Sequence, residues 1–523
     1  MNNKQLREAE QLLCNYLIKE EVSNLQTYQL FHDIYERNLL PIKNNICFSS
    51  ALIVILCHLS RPLNWFKFNI YLFQEANKPH IPLNVYGMNI LKSGGGKGLT
   101  TNTMNALLSF KNIQNEYIDQ IDVDQADEVK NTLKMLAGAE IQDSATTAGL
   151  RSVNKILNSC FKELSITNTF GSVFFNLEEF ADTLENATNF DKDFLSTLKN
   201  LYDLGNAGAK AVSEQIKEAI EEFGVSFLAS TTEKTLQENP RVSKAFNNYL
   251  ISGNARRSLF SMPCEKEVGD LEEKNKQNEF ISLREWHEQT RYKEDGRIDE
   301  LKKRIYATLK KLIQMKDRCE TDILVDDETY FCYRVYKAYC SHLKDDINNE
   351  ILKVEMESRA WKALKISGIL MLYCSISGNV ITPEYFLNAV KIVEFYGHHL
   401  KRYLNNRVSG CADKIVELLL DSDCAISQTE LAHNNEILSY NSKNETPVKF
   451  LKQQMEDVEQ ILNNKGYDLV CQKTGYRSKV VVYAAIQTEL ESNLTIDNRP
   501  PYRIINNVPQ GSGVDIIDKS LNE

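Results

Sequence analysis

The sequence predicts an α/β fold organised around a parallel sheet. Three apolar runs of strand length carry this prediction: Asn84–Leu91, Val173–Phe175 and Val225–Thr232. A glycine-rich turn follows the first run, a pair of carboxylates follows the second, and the third ends in residues with hydroxyl groups. Segments with helical periodicity lie between them. Because ligands bind at the carboxyl ends of the strands in a parallel sheet, these endings predict one shared site.

The glycine-rich turn comes between the first run and a helix-compatible segment, Leu99–Leu108. The order of strand, glycine-rich turn, lysine and helix is that of a P-loop. Glycines let consecutive N–H groups turn inward around phosphate oxygens, and the helix N-terminus adds its positive dipole end. We therefore predict that Lys97 reaches the β- and γ-phosphates of a nucleotide; the alternative is a plain flexible connection. The predicted nucleotide-binding residues are Ser93, Gly94, Gly95, Gly96, Lys97, Gly98, Leu99 and Thr100.

Two positions depart from the P-loop pattern. Leu91 stands where the pattern has its first glycine, and Gly98 stands where it has the Ser or Thr that holds Mg²⁺. Thr100 and Thr101 are the next hydroxyls along the chain. The second departure leaves the Mg²⁺ site without its usual ligand.

The acidic pair Glu178-Glu179 lies just past the end of the second apolar run. At the end of a parallel strand, Glu178 can hold Mg²⁺ through water and Glu179 can orient the attacking water. The alternative is a helix N-terminus enriched in Glu. Thr231, at the end of the third run, either senses the γ-phosphate or caps a helix.

Two arginines, Arg256 and Arg257, precede the apolar residues Leu259 and Phe260. An arginine supplied by a neighbouring subunit can stabilise charge on a transferring phosphoryl group. A surface ion pair and a DNA phosphate contact are the alternatives.

Composition narrows the class of protein. The chain has 523 residues, a formal net charge of −10 and 12 cysteines without a Cys-x-x-Cys pair. DNA binding must then rest on a local basic surface or an oligomer's channel, and the cysteines suit a reducing cytoplasm. The most apolar run, Ile46–Leu59, is shorter than the about 20 residues of a membrane span, so we expect no membrane association.

The C-terminal part predicts a winged-helix domain that binds DNA or protein. Helices ending at Leu420, spanning Gln428–His433 and spanning Val448–Leu462 precede two strand-like runs. Basic side chains there slightly favour nucleic acid: Lys449, Lys452, Lys473, Arg477 and Lys479. The predicted segments are an N-terminal helical segment that packs on the core or grips a neighbour (1–45), a P-loop core (46–265), a helical domain (266–408), the winged helix (409–486) and a flexible tail (487–523).

The order of these motifs resembles a family of phage and plasmid P-loop ATPases related to replicative helicases. The motifs that carry the resemblance are Ser93–Gly98, Ala145–Leu150, Glu178–Phe180, Leu201–Asp203, Arg359-Ala360 and the helix start Ile381–Glu384. The resemblance covers roughly residues 45 to 405. It implies a RecA-like core working in a ring, expected to be a hexamer, with ATP and Mg²⁺ as cofactors.

The resemblance further implies roles for single residues. Lys97 would be the phosphate lysine, Glu178 the Mg²⁺-side acid, Glu179 the water-orienting base, and Arg256 or Arg257 the arginine acting in trans. We expect a cytoplasmic helicase or translocase on single-stranded or forked DNA, working with a separate primase or polymerase. The alternative is a nucleotide-binding initiator or loader scaffold with little motor activity.

Overall fold

The computed structural model describes the following residues: 31, 33–35, 47–72, 80–91, 97–108, 110–121, 127–136, 139–141, 147–166, 171–185, 192–208, 210–212, 215–217, 219–263, 296–344, 347, 349–375, 378–422, 425–438, 446–464, 467–474 and 480–487. Most of the predicted N-terminal segment, the charged segment Glu265–Asn278 and residues 488–523 lie outside them. The chain forms two compact units. The first comprises residues 1–236 and 249–401, and the second comprises residues 237–248 and 402–523.

A five-stranded parallel sheet forms the centre of the first unit, in the order β4-β5-β8-β3-β9. Its strands are β3 (Tyr86–Leu91), β4 (Ala139–Ile141), β5 (Gly171–Leu177), β8 (Phe223–Thr232) and β9 (Ser258–Ser261). All residues of β3, β5 and β9 are buried, as expected for a parallel sheet covered on both faces. The prediction of an α/β fold with a parallel sheet is thus confirmed.

Helices cover both faces of this sheet. On one face lies α1 (Phe48–Trp65), whose Ser60 hydroxyl is bonded to Ser226 of β8. On the other face lies α7 (Lys192–Leu204), where the Tyr86 hydroxyl donates to the Leu198 carbonyl at 2.8 Å. The remaining helices between the strands are α2 (Lys97–Leu108), α3 (Phe110–Asp119), α4 (Asp127–Leu136), α5 (Thr147–Glu163), α6 (Phe180–Glu185), α8 (Glu233–Glu238) and α9 (Pro240–Tyr249). A short hairpin, β6 (Lys210–Val212) and β7 (Gln215–Lys217), precedes β8.

A second sheet joins residues that are far apart in the sequence. Its order is β11-β10-β1-β2, built from β1 (Asn69–Tyr71), β2 (His80–Pro82), β10 (Asp322–Val325) and β11 (Val380–Ile381). Strand β1 runs parallel to β10, with Asn69 opposite Asp322. The sheet therefore links the residues before β3 to the helical region that follows residue 296.

The helical region contains α10 (Gly296–Asp317), α11 (Asp327–Leu343), α12 (Glu350–Glu357), α13 (Arg359–Cys374) and α14 (Pro383–Asp421). The sequence predicts one helix over Asn348–Ser375, but Ser358 divides it. The N–H of Ser358 donates to Glu355 O at 3.0 Å, which tightens the last turn of α12. In contrast, α14 continues through residues 405–412, where the sequence pattern predicts a change.

In the second unit, α14 is followed by β12 (Ile426–Ser427), α15 (Gln428–His433), α16 (Asn435–Leu438), α17 (Pro447–Asn464), β13 (Tyr467–Thr474) and β14 (Val480–Gln487). The strands form one sheet in the order β12-β14-β13. Ser427 and Glu430 form a capping box at the start of α15. Ile415, Leu451 and Leu462 are fully buried in the core of this unit.

Candidate functional site

The carboxyl ends of β3 and β8 lie side by side at the centre of the parallel sheet. Leu91 is opposite Thr232, and Ile90 is opposite Thr231. From β3 the chain continues to β4 at one edge of the sheet, whereas from β8 it continues to β9 at the other edge. Connections that leave neighbouring strands in opposite directions open a crevice at the carboxyl ends, where ligands of α/β proteins bind. The three sequence-predicted endings meet at this edge.

Helix α2 begins at Lys97, at the position that the sequence predicts for a phosphate-binding helix. The turn from Lys92 to Gly96 and the side chains of Lys97 and Leu99 lie outside the described residues. Thr100 and Thr101 are both buried in α2, with 3% and 2% of their surface exposed.

Gly98 and Glu178 lie in direct proximity. A Cβ added at Gly98 would stand 2.9 Å from Oε2 and 3.1 Å from Oε1 of Glu178. Glycine at residue 98 is what leaves room for this carboxylate. Glu178 is half-buried and Glu179 is exposed, both just beyond the end of β5. The structure therefore brings together the start of α2 and Glu178, which lie 80 residues apart in the sequence.

A partly buried polar cluster that sequence reasoning missed fixes α2 against β5. Glu140 of β4 accepts hydrogen bonds from Asn105 of α2 and Asn176 of β5, each at 2.9 Å. Arg61 of α1 donates to Asn105 Oδ1 at 2.6 Å. These residues belong to four different elements, so no local spacing in the sequence marks them as a group. The cluster holds the two elements that carry Gly98 and Glu178.

The two threonines at the end of β8 have different roles. Thr232 Oγ1 accepts a hydrogen bond from the N–H of Thr235 at 3.2 Å, so Thr232 caps α8. Thr231 is fully buried, and its Oγ1 has no hydrogen-bond partner among the described residues. A buried hydroxyl without a partner is costly, and such exceptions often mark functional positions. Thr231 is the residue that the sequence predicts as a sensor.

Arg257 is a buried member of an ion pair within its own chain. Its guanidinium bonds to both carboxylate oxygens of Asp203, with Nε 3.2 Å from Oδ1. Nη1 also donates to the carbonyl of Gly253 at 2.8 Å. Gly253 has a φ of 93°, a conformation that favours glycine. The Arg257 side chain is 5% exposed, so these contacts already occupy it.

Arg256 is the accessible arginine of the two. Its side chain is 43% exposed, and its Nη2 lies 3.7 Å from Asp203 Oδ2. It precedes β9 and therefore lies at the amino edge of the sheet, whereas the crevice lies at the carboxyl edge. Strands rise by about 3.3 Å per residue, so β3 alone separates the two edges by roughly 15–20 Å. Arg256 therefore lies at the edge of the sheet opposite the crevice of its own chain.

The residues around Gly98 fit a nucleotide with Mg²⁺. In nucleotide sites Mg²⁺ is held by one or two carboxylates together with phosphates and water, and the carboxylate of Glu178 stands beside the start of a helix suited to phosphates. Among the described residues, no three His, Cys, Asp or Glu side chains form a group that could hold a metal ion by themselves.

None of the helices in the described ranges has the length and hydropathy of a membrane span.

Comparison with known proteins adds no relative. No protein-family model matches the chain, and no curated protein matches it.

Proposed function

We propose that the protein hydrolyses ATP at the carboxyl edge of its parallel sheet and uses the energy to move along or unwind DNA in phage or plasmid replication. The observation that carries the proposal is the proximity of Glu178 to Gly98 at the start of α2. It joins a helix N-terminus suited to phosphates with a carboxylate suited to Mg²⁺.

Each predicted residue then has one role in the reaction. Lys97 binds the β- and γ-phosphates, and Glu179 orients the water that attacks the γ-phosphorus in line. Thr231 offers its buried hydroxyl to the γ-phosphate or to the attacking water. Mg²⁺, held by Glu178 through water, would neutralise charge on the β- and γ-phosphates. Arg256 stabilises the charge that develops in the neighbouring subunit's site.

The placement of Arg256 supports a ring. An arginine at the edge opposite its own site has a catalytic role only where subunits pack head to tail, and such heterologous contacts form a ring when the rotation between subunits closes. The proposed state is therefore a cyclic homo-oligomer such as a hexamer. We place it in the cytoplasm, with a separate primase or polymerase as partner.

The second unit supports the DNA part of the proposal. Its order of helix, strand, two helices, helix and a two-stranded hairpin resembles a winged helix. Lys449 is exposed near the start of α17, and Lys452 is exposed one turn later. Arg477 and Lys479 of the hairpin turn lie outside the described residues. Basic side chains on the third helix and the wing suit a DNA backbone.

A second candidate function is a nucleotide-binding scaffold, such as a replication initiator or loader. Gly98 favours it, because residue 98 offers no hydroxyl to Mg²⁺. A scaffold would bind ATP in order to assemble and would hydrolyse it slowly or not at all.

ATP hydrolysis with and without single-stranded DNA is the measurement that separates the two. For a motor we expect strong stimulation by DNA, which is lost in both Lys97→Ala and Glu179→Gln, together with unwinding of a forked duplex. Lys353→Met, at a half-buried lysine of α12, serves as the control. Binding of ATP without turnover would favour the scaffold, and the absence of both would reject the nucleotide site.

A further inference from the structure

Helix α13 carries three buried cations on one side. Arg359, Lys362 and Lys365 are spaced three residues apart and are 3%, 3% and 0% exposed. Side chains at this spacing are neighbours on a helix surface. Burying a charged group is costly unless it is paired and hydrogen-bonded, so their contacts are informative.

The two lysines bind the amino edge of the parallel sheet. Lys362 Nζ donates to the carbonyl of Ser258, the first residue of β9, at 3.3 Å. Lys365 Nζ donates to Asn84 Oδ1 and to the carbonyl of Tyr202, and it lies 3.6 Å from the centre of the Tyr202 ring. Both lysines therefore bond to backbone carbonyls, which fix the course of the chain.

These carbonyls flank the ion pair that anchors the arginine turn. Ser258 directly follows Arg257, and Tyr202 directly precedes Asp203. Each lysine is thus bonded one residue away from a member of the Asp203–Arg257 pair. Arg256 is the neighbour of Arg257 and approaches the same carboxylate. The direction of Arg256 therefore depends on backbone that α13 holds.

The charge on α13 is balanced by neighbouring helices. Glu355 of α12 is 1% exposed and accepts from Arg359 Nε at 2.9 Å and from Lys362 Nζ. Glu394 of α14 accepts from Arg359 Nη1 at 2.6 Å and from the Tyr336 hydroxyl. Helices α11, α12 and α14 thereby set the position of α13.

We propose that Lys362 and Lys365 are positioning residues that hold the turn Gly253–Arg257 so that Arg256 enters the nucleotide site of the next subunit. This inference rests on the proposed function. It adds that the helical region of one subunit controls ATP hydrolysis in the next subunit. Through these contacts, the position of α13 sets how Arg256 acts on hydrolysis in the neighbouring subunit.

Complementation in mixed oligomers tests this direction. A Lys362→Met subunit keeps its own Lys97 and Glu179 and loses the correct placement of Arg256. A Glu179→Gln subunit keeps its arginine and loses its own hydrolysis. We expect each variant alone to hydrolyse ATP at least tenfold more slowly than the wild type. Co-assembled at equal amounts, they should recover about a quarter of wild-type activity, since a quarter of randomly formed head-to-tail interfaces join an intact site to an intact arginine.

Two further variants control for the loss of a lysine charge and for poor folding of Lys362→Met. Lys353→Met, at a half-buried lysine of α12 that contacts neither Ser258 nor Tyr202 in the described hydrogen bonds, should retain wild-type activity. The double variant Glu355→Gln/Lys362→Met removes both charges of the buried pair and should complement in the same way if the single variant folds poorly. Normal hydrolysis by Lys362→Met, or no recovery in mixtures of the folded variants, would overturn the inference. A wild-type protein without hydrolysis would instead reject the proposed function.

Discussion

The carboxylate of Glu178 fills the space into which a side chain at residue 98 would extend, with Oε2 only 2.9 Å from the position of a Cβ there. Glycine at this position is therefore a requirement of the acid's placement. The lack of a Ser or Thr hydroxyl at residue 98 and the position of the Glu178 carboxylate therefore depend on each other.

Gly98→Ser should reduce ATP hydrolysis at least tenfold. The new side chain displaces the carboxylate, which is the mobile end of Glu178, so the free energy of unfolding should change by less than about 1 kcal/mol. Steady-state hydrolysis across Mg²⁺ concentrations, together with urea unfolding, measures both effects. Gly208→Ala is the control, since a Cβ there meets nothing within 4 Å. Faster hydrolysis in Gly98→Ser would mean that the natural site is slow because it lacks a hydroxyl, which favours the scaffold.

Thr231→Val should lower hydrolysis without lowering stability. The valine keeps the shape of threonine and removes a buried hydroxyl that has no partner among the described residues, so unfolding should be unchanged or up to about 1 kcal/mol less favourable. Under the proposed sensor role, hydrolysis should fall at least tenfold, because the nucleotide loses a hydrogen bond. Thr232→Val is the contrast, since it removes the cap of α8 and should cost about 1 kcal/mol of stability. Unaltered hydrolysis in Thr231→Val would exclude the sensor role.

Substitutions at Arg256 and Arg257 should have different effects: one should lower ATP hydrolysis, and the other should lower stability. Arg257→Met leaves Asp203 without its buried partner and should cost about 3–5 kcal/mol of stability in urea unfolding. Arg256→Ala should change stability by less than about 0.5 kcal/mol and should lower hydrolysis about 10³-fold or more. Arg318→Ala, at an arginine that is 61% exposed, controls for loss of charge. The opposite pattern would assign the arginine acting in trans to residue 257.

The buried carboxylate of Glu355 should make the protein less stable in acid. Burial by itself raises the pKa of Glu355, but the adjacent Arg359 and Lys362 lower that pKa below its ordinary value. Its contribution to stability is then fully present above the unfolded pKa of about 4.3 and is lost as the pH falls below that value.

Urea unfolding between pH 6 and pH 3 measures this effect. Below about pH 4.3, stability should fall more steeply in the wild type than in Glu355→Gln, by at most about 1.4 kcal/mol per pH unit for the one proton. Glu350→Gln removes a carboxylate that is 70% exposed and should leave the steepness unchanged. Parallel curves for the wild type and Glu355→Gln would contradict the assignment.

The central strands and α2 could be predicted from the sequence because each has a local signal. Strands β3, β5 and β8 are continuous apolar runs with polar endings, and α2 follows a glycine-rich turn. The strand order could not be predicted, since it depends on pairings between distant segments and since β4 and β9 have only three and four residues.

The candidate site was predictable as a set of residues but not as an arrangement. In the sequence, Gly98 indicates only that the Ser or Thr ligand of Mg²⁺ is missing. The proximity of Glu178 to Gly98 is visible only in the folded chain. Arg256 and Arg257 are equivalent in the sequence; they differ because Asp203, 54 residues away, pairs with the second one. The predicted helix end at Asn405 is wrong for a similar reason: α14 continues to Asp421, and buried residues such as Cys411 and Ile415 stabilise it through packing.

The pairing of β1 with β10 has a consequence for how the chain is made. During synthesis on the ribosome, β1 cannot pair with β10 until residue 323, the partner of Ile70 in the second sheet, has emerged. Until then one edge of β1 has unpaired N–H and C=O groups that another nascent chain can bind. The same edge would stay open in any recombinant fragment that ends near residue 265. The half of the chain that contains the parallel sheet is therefore best produced as part of a chain that extends at least through Ile381.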